Sequence, residues 1–187
     1  MKIGLFFGSF NPVHNGHLII ANMVLQEAKL NQVWLVVSPQ NPFKKKITLL
    51  KERERLNLIN LAIENNSKLK ASDIEFGLPK PSYTIDTLTY LKEKYPQHTF
   101  SLIMGSDNVE QIHEWKNGEL ILKNYKILVY KRTEEEKLQH PNVKYLEFPL
   151  LDISATFIRL KIKEGFDMNY FLPEAVWNHI RDYKLYK

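Results

Sequence analysis

The sequence predicts an α/β protein: a parallel β-sheet with helices packed on both of its faces. Short apolar runs of strand length alternate with longer segments whose apolar residues recur at helical spacing. Such alternation favours a parallel sheet buried on both sides. No internal repeat, low-complexity segment or linker divides the chain. In order, residues 2–7 form a short apolar strand that ends at Gly8. Residues 16–30 carry Leu18, Ile19, Ala21, Met23, Val24, Leu25 and Ala28, the density of a largely buried helix. Residues 32–37 (QVWLVV) are a second buried strand. Residues 48–65 are helical, with Leu49, Leu56, Ile59, Leu61, Ala62 and Ile63 facing inward, and residues 69–74 are a third strand. Pro79 and Pro81 mark a loop, after which Ser82 and Thr84 can cap a helix bearing Ile85, Leu88 and Leu91. Residues 99–104 (TFSLIM) make a strand ending at Gly105, and residues 126–130 (KILVY) and 143–148 are the next two. The polar stretch at residues 132–142 reads as an exposed loop or short helix. Ser154 starts a helix, and Pro173 suits the first position of the last one.

At 187 residues the chain has the length of about one domain, taken as residues 1–187, and can bury one sizeable core. The absence of cysteine excludes a disulfide scaffold, a thiol nucleophile and a cysteine-rich zinc site, and fits a reducing cytoplasm. The apolar run at residues 3–7 is too short for a signal-peptide core, and no stretch approaches the ~18 apolar residues of a membrane span. A soluble, cytoplasmic protein is expected. The formal net charge of +5 is spread over scattered lysines, with residues 44–46 the one compact run. A nucleic-acid surface usually shows a longer basic stripe. Nucleotides or other small polyanions account for the charge equally well, so neither nucleic acid nor membrane is expected as a partner.

The densest chemistry lies in GSFNPVHNGH, residues 8–17, between the first strand and the first helix. In open parallel sheets ligands bind at the carboxyl ends of strands. Gly8 permits a tight turn there. Backbone N–H groups around Gly8, Ser9 and Phe10, with those near Gly16, can point at an anion. His14 just before the helix and His17 in its first turn can converge on one phosphate. The stretch is neither GxGxxG nor the P-loop GxxxxGK[ST]. Taken alone, the histidines also suit an ordinary loop and cap. As zinc ligands they lack a nearby third partner.

GSFNPVHNGH resembles the [G]xFxPxHxGH signature of a nucleotidyltransferase superfamily with a Rossmann-like, doubly wound fold, which transfers a nucleotidyl group from a nucleoside triphosphate and releases pyrophosphate. The resemblance implies that His14 and His17 contact the triphosphate and stabilise the transition state. DISATFIR, residues 152–159, resembles the second signature, ISSTxxR, with Ala155 in place of one serine. It implies that Ser154, Thr156 and Arg159 hold the distal phosphates. Hydroxyls, a helix N-terminus and a guanidinium suit that task chemically; a plain capping serine and surface arginine is the simpler alternative.

Three stretches resemble the bacterial-type nicotinate-nucleotide adenylyltransferases in particular. SPQNPFKKK matches PxxxPHK, which puts Lys44 on the family lysine and Phe43 where histidine is usual. PSYTIDTL matches PSYTxDTL and implies that Ser82, Tyr83 and Thr84 receive nicotinate mononucleotide, whose carboxylate suits a helix N-terminus. IMGSDNVEQIHEW matches IxGxDxxxxxxxW, which implies that Gly105 and Asp107 touch the nucleotide and Trp115 the nicotinate ring. Read by itself, at helical spacing from Ile112 and Leu120, Trp115 is more often a core residue. Arg55 occupies a family arginine position, but alone it reads as a surface residue.

The implied reaction is adenylyl transfer from ATP to nicotinate mononucleotide in NAD biosynthesis. His14, His17 and Lys44 are catalytic, and Mg²⁺ enters with ATP, held by phosphates rather than by a protein cage. The alternatives are transfer to nicotinamide mononucleotide or to phosphopantetheine, a nucleotide-binding regulator without catalysis, and a basic nucleic-acid-binding protein. Monomer and homo-oligomer both remain open.

Overall fold

The structure, a computed structural model, describes residues 1–39, 49–131, 138–147 and 149–187. In chain order these form β1 (Lys2–Gly8), α1 (Asn15–Glu27), β2 (Gln32–Val37), α2 (Glu52–Ile63), β3 (Leu69–Ser72), α3 (Thr84–Lys94), β4 (Thr99–Gly105), α4 (Ser106–Val109), α5 (Gly118–Asn124), β5 (Lys126–Tyr130), β6 (Val143–Leu146), α6 (Ala155–Lys163) and α7 (Glu174–Asp182). The described strands make one six-stranded sheet of order β3-β2-β1-β4-β5-β6. Every pairing is parallel; Leu5, for example, sits opposite Trp34 on one side and Leu102 on the other. The doubly wound α/β architecture expected from the sequence is the one observed.

Side-chain alternation along each strand feeds two cores, one per face. Phe6, Leu35, Val37, Ile103 and Leu128 face α1, α2, α6 and α7, which supply Val24, Ile59, Ile158 and Val176. Ile3, Leu5, Val36, Leu102 and Val129 face α3 and α5, which supply Leu88, Leu91 and Ile121. The strand order reverses between β1 and β4, and their carboxyl ends, Gly8 and Gly105, mark the edge where such sheets bind ligands.

Several boundaries differ from the sequence reading. The third strand stops at Ser72 and gives way to a 3-10 turn, Ile74–Gly77, and the sixth stops at Leu146. Thr48, Phe148 and residues 132–137 lie outside the described residues. Residues 138–142 are not helical and lead by a turn into β6. Pro173 precedes the last helix as its N-cap, with ψ 143°, instead of being its first residue. Of the residues assigned to the inner face of α2, Leu49 lies before the helix and is 37% exposed; the buried stripe is Arg55, Leu58, Ile59 and Ile63. α1 buries Ile20, Ala21, Val24 and Leu25 on one face, while Ile19 turns to solvent, so that helix is amphipathic rather than largely buried.

Candidate active site

The first turn is shaped by its own aromatic residue. Phe10 takes a left-handed backbone, φ 44°, and its ring folds back over Gly8, where a β-carbon would come within 2.9 Å of it. The ring is buried and packs edge-on against Phe6, with centroids 5.8 Å apart, and against His17 at 5.0 Å. The Asn11–Pro12 peptide is cis. His14 is the N-cap of α1 in extended backbone, and only 4% of it is exposed. Its backbone N–H donates to His17 Nδ1 at 3.2 Å, and the two imidazoles stack with centroids 3.7 Å apart. Gly16 between them matters for space: a β-carbon there would meet His14 Nδ1 at 3.0 Å. Because His17 Nδ1 accepts a hydrogen bond, the neutral ring carries its proton on Nε2. Nε2 is therefore the atom of His17 that donates.

The second signature reaches the first. Ser154 caps α6, its Oγ accepting from the Phe157 N–H at 3.2 Å, as a helix-starting serine should. Arg159, one turn in, donates through Nη1 to the Asn11 carbonyl at 2.7 Å and through Nη2 to Thr156 Oγ1 at 3.3 Å. Two segments nearly 150 residues apart, separated by 148 positions at that contact, thus share one guanidinium.

Arg55 departs most from its sequence reading. It is not a surface residue but fully buried, at 0% exposure. Its guanidinium donates to the carbonyls of Ser9, of Ser38 at 3.0 Å, of Pro39 at 3.3 Å and of Leu50 at 3.0 Å. The fork of fixed donors lets one side chain clamp the first turn to the stem of the loop after β2. Burial lowers its pKa, with Tyr186 and Glu52 acting in the opposite direction. Lys44 and Phe43 lie outside the described residues; Pro39 is the last described residue before them.

The acceptor stretch is also built differently from the expectation. Ser82 and Thr84 do not cap α3. Tyr83 is the N-cap residue and makes no side-chain cap bond, and Thr84 is the first helical residue. Ser82 Oγ instead donates to Glu75 Oε2 at 3.1 Å, and Thr87 Oγ1 donates to Glu75 Oε1 at 2.8 Å. Glu75, in the 3-10 turn after β3, is 2% exposed and was not singled out by its sequence. Burial raises its pKa, while the hydroxyls of Thr87, Ser82 and Ser38 hold it back. Its folded pKa lies above its ordinary value, so over the window opening at that value the folded protein binds more protons than the unfolded chain. Stability therefore falls as pH rises through the window. Glu75→Gln keeps the shape and removes the charge; its Tm relative to the parent is expected to be higher at pH 8 than at pH 5. An equal difference at both pH values would contradict a burial-raised Glu75.

Gly105 ends β4 and caps the short α4, in whose first turn Asp107 is exposed. Trp115 closes the 3-10 turn Ile112–Glu114 and is half-buried against the core under α3 and α5. Lys116 places its ammonium 4.7 Å from the Tyr83 ring centroid and 2.9 Å from Asp86 Oδ2. The turns bearing His14, Ser82, Gly105, Trp115 and Ser154 all follow the carboxyl ends of parallel strands, so they share one edge of the sheet. Among the described residues no three of His, Cys, Asp and Glu gather as a metal cage. The donors around the first turn are imidazole, hydroxyl and guanidinium groups. They match phosphate oxygens, and so fit a metal ion carried by a triphosphate. No described helix is long and apolar enough to cross a membrane.

Comparison with known proteins agrees with this geometry. A family model described as cytidylyltransferase-like matches residues 5–163. A Flavobacterium johnsoniae protein named "Probable nicotinate-nucleotide adenylyltransferase" is 52% identical over 192 residues, covering 100% of both chains. A Cytophaga hutchinsonii protein of the same name is 52% identical over 189 residues, covering 100% of this chain and 98% of its own. Among solved structures, Plasmodium falciparum nicotinic acid mononucleotide adenylyltransferase complexed with NaAD superposes with a TM-score of 0.83 at 23% identity, covering 99% of this chain and 97% of that one. At that identity it speaks for the fold. Together, a family match over most of the chain and full-length relatives of this similarity establish that the chain belongs to the cytidylyltransferase-like family and, within it, to the nicotinate-nucleotide adenylyltransferases.

Proposed function

We propose that this protein transfers the adenylyl group of ATP to nicotinate mononucleotide, releasing pyrophosphate and forming nicotinate adenine dinucleotide for NAD biosynthesis. The observation that carries the reading is the joining of the two phosphate-type motifs through Arg159 and Asn11 at the sheet edge that also bears Tyr83 and Thr84. The acceptor's phosphate, with a second pKa of about 6, is already ionised at neutral pH. It attacks the α-phosphorus of ATP in line; a new P–O bond forms as the bond to the pyrophosphate oxygen breaks, and pyrophosphate leaves with that electron pair. Neither a general base nor a covalent intermediate is needed, so catalysis is positioning and charge stabilisation.

His17 Nε2–H donates to an α-phosphate oxygen, with its ring fixed by His14 N–H and by stacking on His14 and Phe10. His14, the N–H groups around Gly8, Ser9 and Phe10, and Lys44 assist along the triphosphate. Ser154, Thr156 and Arg159 take its far end, and Gly105 and Asp107 the nucleotide. Mg²⁺, brought by ATP, would supply further neutralisation of phosphate charge. The nicotinate carboxylate is received by the N–H groups of Tyr83 and Thr84, at a helix start where Tyr83 supplies no side-chain cap, with Ser82 beside them and Trp115 against the ring. Residues 1–187 are read as one nucleotidyltransferase domain. Both substrates are charged nucleotides that do not cross bilayers, which supports a cytoplasmic location.

The test is a comparison of nicotinate and nicotinamide mononucleotide with ATP and Mg²⁺, following dinucleotide by chromatography. The acid is expected to be favoured by about tenfold or more in kcat/KM, since an amide loses its charge at a helix N-terminus. Equal use of both would remove the carboxylate seat at Tyr83 and Thr84. Absence of dinucleotide from either would remove the reaction.

A further inference from the structure

The far end of the chain returns to the first turn. α7 packs on α2, with His179 Nε2 2.7 Å from Glu54 Oε1. It ends in a reversal in which the Lys184 N–H donates to the Arg181 carbonyl at 3.2 Å and the Leu185 N–H to the Ile180 carbonyl at 3.0 Å. That pair of bonds is the Schellman arrangement, which ordinarily employs glycine at its left-handed residue. Here Lys184 occupies it with φ 51°, and Tyr186 is left-handed as well, at φ 67°. Both are costly conformations for residues with a β-carbon, and they persist only where contacts hold them. Leu185 and Tyr186 pack against the core beneath α1 and α2, and the Tyr186 hydroxyl donates to Asn11 Oδ1 at 2.9 Å.

Asn11 is a shared joint. Its Oδ1 also accepts the Leu50 N–H at 3.2 Å, and its carbonyl accepts Arg159 Nη1. It stands three residues before His14, is 2% exposed, and follows Ser9, whose carbonyl Arg55 clamps. Burial raises the pKa of the phenol, opposed by the charges of Arg159 and Arg55 and aided by that of Glu54, so it remains a donor at neutral pH. Nothing in the adenylyl-transfer chemistry above uses this hydroxyl, yet its hydrogen bond ends on the turn that carries both histidines.

We propose that Tyr186 is a positioning residue for adenylyl transfer: through Asn11 it holds the His14–His17 turn in register with Arg159. The inference rests on the proposed reaction, and the two are separated by testing the parent protein alongside the variants. Tyr186→Phe keeps the ring in its packing and deletes only the hydroxyl. It is expected to lower kcat about tenfold, the scale of one lost buried hydrogen bond, with KM for nicotinate mononucleotide changed by less than about twofold. Asn11→Ala is expected to lower kcat as well, and Tyr186→Phe added to Asn11→Ala is expected to do no further damage, because the two act through one bond. Undiminished kcat in Tyr186→Phe, or the same fold loss in both backgrounds, would overturn the proposal. A parent protein that forms no dinucleotide would overturn the reaction itself.

Discussion

His17→Ala is expected to lower kcat by about 10²–10³-fold, the range seen when one donor to a developing oxyanion is deleted. The basis is geometric. The His14 N–H occupies Nδ1, so the proton of the neutral ring is on Nε2, and Phe10 and His14 fix the plane of the ring. The proposed partner of this side chain is the α-phosphate of ATP and not the acceptor, so KM for nicotinate mononucleotide should stay within a fewfold of the parent value. The fold should survive. The half-buried ring meets the core residues Phe6 and Phe10 only edge-on, and the lost bond to the His14 N–H costs about 1 kcal/mol. Steady-state kinetics with a parallel thermal melt checks both halves. Near-parent kcat would remove the first turn from the chemistry.

Arg55→Met is expected to damage stability and turnover together. Methionine fills most of the space but leaves the carbonyls of Ser9, Ser38, Pro39 and Leu50 without this donor, around a side-chain position that is itself fully buried. Each buried acceptor left unmet costs about 1–3 kcal/mol, and hydrogen bonds to a charged group lie at the upper end. A loss on the order of 4 kcal/mol is expected, or roughly 10 °C in Tm for a chain of this size. Because the clamp joins the first turn to the loop stem after β2, the fraction that remains folded should also turn over more slowly. Arg55→Lys retains the charge but cannot span four acceptors, so it should recover only part of the loss. A thermal melt and kcat per folded site provide the comparison; a Met variant as stable as the parent would show that the buried fork is dispensable.

Much of the fold was legible because it is local. The strand runs around Leu5, Leu35 and Leu102 and the helix starts at His14 and Ser154 follow from periodicity and capping within a few residues. Arg55 shows a signal that was present and misread. It falls in register with Leu58, Ile59 and Ile63, on the buried stripe of α2, and only its charge argued for the surface. Glu75 carried no such signal. It lies in a 3-10 turn, and the hydroxyls that satisfy it come from 7 and 12 residues away, across a loop. Tyr186 is further still from inference, 175 positions from Asn11, since nothing short-range in a sequence encodes where a tail folds back. Ser82 misled for the opposite reason: a serine before a helix is a good cap, but a buried carboxylate competes for it and wins.

In the proposed reaction the α-phosphorus of ATP passes to the acceptor phosphate. ATP labelled at the α-phosphorus, incubated with the protein, Mg²⁺ and nicotinate mononucleotide, with products separated by chromatography, follows that atom. The label should appear in nicotinate adenine dinucleotide, with one unlabelled pyrophosphate released for each dinucleotide formed. Label recovered only in ATP, ADP or AMP would contradict adenylyl transfer.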